Sequence, residues 1–79
     1  MIWFFGKGDE VVRLETRVDR ATNEYVLVIA WANKPEETER FREYAAFNDR
    51  IQALERQLQK ARWTLIGQPT LLKDGWRGP

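Results

Sequence analysis

The side chains available for chemistry in this chain are carboxylates, amines, guanidiniums, indoles and the hydroxyls of threonine and tyrosine, because it contains neither histidine nor cysteine. A nucleophile–base pair built on imidazole is therefore impossible, and so is a zinc site of the usual nitrogen and sulfur ligands. The nearest approach to a phosphate-cradling loop is Gly6-Lys7-Gly8. It lacks the spacing of a Walker A or dinucleotide fingerprint, and the residues after it read as a strand rather than a helix. Carboxylates are plentiful but sit beside cations at neighbour spacing, as in Glu36 with Arg40 and Glu39 with Arg42. Such pairs are ordinary surface ion pairs. Acid–base catalysis needs a pocket that shifts a pKa, and no pattern in the sequence points to one. Neither an enzyme nor a cofactor is expected.

Two constellations remain. Arg13 and Arg17 alternate on one strand face, while Arg56, Lys60 and Arg62 crowd one helix end. With Trp3 or Trp76 nearby, they have the chemistry to pair with phosphates and stack on bases of single-stranded nucleic acid. Glu15, Asp19 and Glu55 interrupt that charge, and 13 basic against 12 acidic residues leave no whole-molecule basic excess. The second constellation is apolar. Val26, Val28 and Ala30, with Trp3, Phe4, Phe5 and Trp76, amount to more apolar surface than a single helix can cover. Either the N-terminal segment folds back over it or another protein does, and a symmetric homodimer is the commonest such solution. The functional expectation is a small non-enzymatic interaction module that self-associates through the sheet face without a helix. The alternative is weak nucleic-acid binding.

The elements that must position these residues follow from hydrophobic periodicity. From Val12 to Asp19, apolar Val12, Leu14, Thr16 and Val18 alternate with Arg13, Glu15, Arg17 and Asp19, the mark of a half-buried strand. Arg20 to Asn23 is polar and aperiodic, with Asn23 suited to positive φ. Glu24 to Ala32 is rich in β-branched and aromatic residues and reads as a second strand. Setting Arg20 opposite Asn23 places Val18 against Tyr25, Thr16 against Leu27, Leu14 against Ile29 and Val12 against Trp31. A slip of one residue would set apolar against charged side chains throughout. The same register puts Val26, Val28 and Ala30 on the opposite face, beside Arg13, Glu15 and Arg17.

Tyr44, Phe47, Ile51, Leu54, Leu58 and Ala61 recur at spacings of three and four, and the residues between them are good helix formers. Burial of that stripe contributes on the order of 10 kcal/mol before entropy is subtracted. Its start is ambiguous. Pro35 followed by Glu36, Glu37 and Glu39 has the look of a helix N-terminus. A helix from there would run about 42 Å and overhang a domain whose radius of gyration is about 12 Å. The other reading makes Asn33-Lys34-Pro35 a turn, Glu36 to Phe41 a third antiparallel strand, and Glu43 the approximate helix start. The third strand is preferred because it gives the sheet enough strands to be stable. After Trp63 the period returns to two, and Pro69 confines that stretch to a sheet edge or loop. Asp74-Gly75 marks a further turn. The expected fold is α+β, an antiparallel sheet of three to four strands with one long amphipathic helix on one face, in the order β-β-(β)-α-β.

Taken together, Trp3-Phe4-Phe5, Ala45-Ala46-Phe47 leading into Leu54-Glu55 and Leu58, Arg62-Trp63, and Asp74-Gly75-Trp76 resemble a group of short bacterial proteins of proteobacterial type without assigned function. The resemblance spans most of the chain, and its motifs are structural in character. It implies an intracellular bacterial protein and brings no activity or site residues with it.

Length and composition set the outer bounds. With 79 residues there is room for a single domain over 1–79, with residues 1–9 and 73–79 expected to be flexible or peripheral. A core this small is marginal and has no disulfide to help it, so four Trp, four Phe and two Tyr matter. Met1 to Phe5 is too short to span a bilayer, anchors only weakly at a membrane surface, and lacks the pattern of a signal peptide. A cytoplasmic setting is the expectation.

Overall fold

The computed structural model describes residues 1–66. Their elements are β1 (Ile2–Lys7), β2 (Glu10–Asp19), β3 (Glu24–Ala30), β4 (Glu37–Phe41), α1 (Tyr44–Lys60) and β5 (Thr64–Leu65). All five strands form one antiparallel sheet in the order β4-β3-β2-β1-β5, with α1 packed on one face. The α+β class and the helix on one face match the sequence reading. The ambiguous segment resolves as a strand, since β4 pairs with β3 through Tyr25–Phe41 to Ile29–Glu37.

The β2–β3 hairpin has the expected register, with Val18 opposite Tyr25, Thr16 opposite Leu27 and Leu14 opposite Ile29. The ladder stops one pair before Val12 and Trp31, at Arg13–Ala30. Its loop is closed by the Asn23 amide donating to the Asp19 carbonyl at 2.7 Å, and Asn23 adopts φ 62°. Asparagine tolerates that left-handed conformation better than most residues.

The N-terminal segment is where structure and sequence reading part. Residues 1–9, expected to be flexible or peripheral, contain β1, which lies between β2 and β5. Lys7 pairs with Glu10, leaving Gly8-Asp9 as the turn, and only Gly8 has positive φ (60°). This is the type II′ pattern, whose first central position favours glycine. The run Ile2-Trp3-Phe4-Phe5 has no alternation because β1 carries apolar side chains toward both faces. Residues 73–79, and the expected turn at Asp74-Gly75, lie outside the described residues.

In α1, Phe47, Ile51, Leu54 and Leu58 are buried, four side chains at spacings of four, three and four on one stripe. Tyr44, at the helix start, stays largely exposed and meets Tyr25 edge-on, with ring centroids 5.6 Å apart. The C-terminus closes in a Schellman turn. The Trp63 amide donates to the Leu58 carbonyl at 2.9 Å and the Arg62 amide to that of Gln59 at 3.0 Å, with Arg62 at φ 68°. Arg62 thus occupies a left-handed position where glycine is usual, while Trp63 packs back on the core. That core joins Phe5, Val12, Leu14, Leu27 and Ile29 of the sheet to the four helix residues.

Candidate interaction surface

Strand alternation sorts the residues singled out in the sequence onto two faces. Phe5 opposes Val12 and Trp3 opposes Leu14, so both aromatics lie on the helix side. Phe5 is fully buried there, and Trp3 packs partly buried against the same core. They therefore leave the surface proposed from sequence and join the helix-covered face. Phe4 points to the other face and is 40% exposed. Val26, Val28 and Ala30 lie on that face as expected, but Val26 and Val28 are buried and Ala30 is half-buried. Trp76 lies outside the described residues.

Two valines are thus buried on a face that no helix among the described residues covers, and the strand register accounts for it. Val26 is flanked by Arg17 and Arg40, Val28 by Glu15 and Thr38, and Ala30 by Arg13. From β4, Arg40 reaches across β3 to donate to Asp19 of β2 at 2.9 Å, and to Glu24 at 3.2 Å. From β2, Arg13 reaches across Ala30 to Glu36, just before β4, and also lies 4.0 Å from Glu15. Arginine stems laid across the strand shield the small side chains beneath them, and the Arg13 guanidinium is itself partly sunk, its Nε buried without a hydrogen-bond partner. The hydrogen bond from Arg40 holds the Asp19 carboxyl below its usual range, reinforced by the Ala21 amide, and the same bond raises Arg40. On the helix side, Glu39 accepts two bonds from Arg50, at 2.8 and 3.0 Å, and this hydrogen bonding raises the Arg50 guanidinium. That pair ties α1 to β4.

Among the described residues, the uncovered end of the open face is elsewhere. Val11 is opposite Gly6 and is 47% exposed; Ile66, whose amide donates to the Phe4 carbonyl at 2.8 Å, is 50% exposed. A Cβ on Gly6 would come within 2.7 Å of Ile66 Cδ1, so the Ile66 side chain lies over the glycine. Phe4, Val11 and Ile66 thus gather around Gly6 where β1, β2 and β5 meet, with ion-paired Arg13 as the cross-strand neighbour of Phe4. The sequence reading did not pick out Val11 or Ile66. The available signal was Gly6 itself, since a glycine inside a strand often marks close approach by another group.

The cations of the nucleic-acid alternative do not form one surface. Arg13 and Arg17 are on the open face, whereas exposed Arg56 and Lys60 project from α1 and Arg62 from the turn after it, with the sheet between the two groups. Arg13 is engaged by Glu36, and the Lys7 ammonium sits 6.0 Å above the Trp63 ring. Among the described residues no three metal-ligating side chains cluster, and no helix is long and apolar enough to cross a membrane. No protein-family model, curated protein or solved structure matches this chain.

Proposed function

We propose that this protein is a small non-enzymatic interaction module that associates with a second copy of itself through the uncovered end of its open sheet face. The observation that carries this reading is the grouping of Phe4, Val11 and Ile66 around Gly6, three half-exposed apolar side chains on adjoining strands. Isolated exposed apolar residues need no explanation, but a contiguous group on a sheet face does. A domain of this size also has little core to spare, so burying such a group against an identical one adds stability to both copies. The absence of cysteine fits a reducing, cytoplasmic setting. Sedimentation velocity over a micromolar concentration range tests the reading. A monomer–dimer equilibrium that shifts toward dimer with concentration supports it, and a monomer at every concentration overturns it.

A further inference from the structure

Resting on the self-association just proposed, we infer that the two copies exchange β5: Thr64–Leu65 of one chain leaves its own β1 and pairs with β1 of the other. Three features of the C-terminal turn point this way. First, β5 is an edge strand that, among the described residues, meets β1 alone, through the pairs Phe5–Leu65 and Gly6–Thr64 and the Ile66–Phe4 backbone bond, with Thr64 and Leu65 both exposed. Second, the connection from α1 is short, Ala61 to Trp63, and strained, because Arg62 holds φ 68° where glycine is usual. A short strained hinge is the circumstance that favours domain swapping. Ala61 and Arg62 are good helix formers, so the turn can open by lengthening α1, which returns Arg62 to an unstrained conformation. Third, the receiving slot is specific. Ile66 lies over Gly6, where any side chain would intrude, and its amide bonds the Phe4 carbonyl. A strand supplied by the second copy meets the same slot in the same register, so exchange keeps these contacts and removes the strain at Arg62. Each apolar group around Gly6 would then be assembled from two chains.

The chain contains no cysteine, so an engineered pair can report which chain supplies β5. Phe4 and Ile66 stand opposite each other through the Ile66–Phe4 backbone bond, and hydrogen-bonded strand partners about 5.5 Å apart at Cα fall within disulfide range. The variant F4C/I66C is oxidised only as the isolated dimer fraction and run on a denaturing gel without reductant. Exchange predicts a covalent dimer. A chain locked to itself, running as a monomer, overturns the exchange while leaving self-association intact. The hinge is tested separately, with no need for the cysteine variant to fold. Arg62→Gly relieves the closed turn in each of the two chains and should lower the dimer association constant about thirtyfold, whereas Arg62→Ala removes the charge, keeps the strain and should leave it unchanged. Equal effects of the two substitutions would assign the role to the side chain and overturn the hinge. If the unmodified chain forms no dimer at all, the exchange falls with the reading it rests on.

Discussion

The two faces of this sheet are buried by different means. On the helix side, Phe5, Val12, Leu14, Leu27 and Ile29 meet an apolar stripe of α1. On the open side, Val26 and Val28 are just as inaccessible, but their cross-strand neighbours are Arg17, Arg40, Glu15 and Thr38. A small domain can therefore cover a central strand twice with a single helix, using ion-paired arginines as the second cover. That cover depends on partners placed across the sheet, and it ends where they end. At the β1–β2–β5 end the cover stops at Arg13, which stands opposite Phe4 but reaches the other way to Glu36, and among the described residues Phe4, Val11 and Ile66 are left half-exposed.

Substitutions that strike the two faces differently would sharpen this contrast. The largest effect is expected at Leu54, fully buried in α1. Leu54→Ala should cost about 3 kcal/mol in urea denaturation, enough to leave a domain of this size partly unfolded. Val26→Ala on the open face should cost about 2 kcal/mol, because Val26 is as buried as any helix-side residue. A loss below about 0.5 kcal/mol, typical of exposed sites, would show that the arginine cover is not close-packed. Arg62→Gly should stabilise the monomer by about 1 kcal/mol, measured under dilute conditions, since glycine accepts the left-handed turn without strain.

The smallest expected effect is electrostatic. Asp19 titrates below the usual carboxylate range because Arg40 and the Ala21 amide bond its charged form. A carboxyl depressed on folding adds stability that is present above its unfolded pKa and lost as pH falls through its folded value. Urea midpoints should therefore fall more steeply with acid for the unmodified chain than for Asp19→Asn in the region below about pH 4. Asp19 is exposed, so the difference should be small and should shrink further in high salt. Identical acid limbs for the two proteins would mean that the Arg40 bridge does not couple to folding.

Much of this architecture was legible in the sequence, and the failures have physical causes. The hairpin register followed from alternation, because a slip would bury Arg13, Glu15 and Arg17. The strand at Glu37–Phe41 followed from the need for enough strands to make a stable sheet, and from the overhang of the competing helix. Strand β1 was missed because its apolar residues serve both faces and leave no period, although Gly8-Asp9 is a recognisable tight-turn pair. The cover over Val26 and Val28 was not legible, although a strand apolar on both sides implies one. The arginines over that face find carboxylates 21 and 23 residues away in sequence, and no local pattern encodes those distances. The surface around Gly6 was only partly legible, since Phe4 was identified but Trp3 and Phe5 were assigned to the wrong face.

The central claim, that the uncovered end of the open face joins two copies, is tested most directly by comparing two exposed aromatics on opposite sides of the sheet. Phe4 lies on the open face, and the still more exposed Tyr44 lies on the helix side. Sedimentation velocity of the unmodified chain, Phe4→Glu and Tyr44→Ser at matched micromolar concentrations, with far-ultraviolet circular dichroism to verify folding, separates them. The prediction is a concentration-dependent dimer for the unmodified chain and for Tyr44→Ser, and a folded monomer for Phe4→Glu. A folded Phe4→Glu that dimerises as well as the unmodified chain would contradict it.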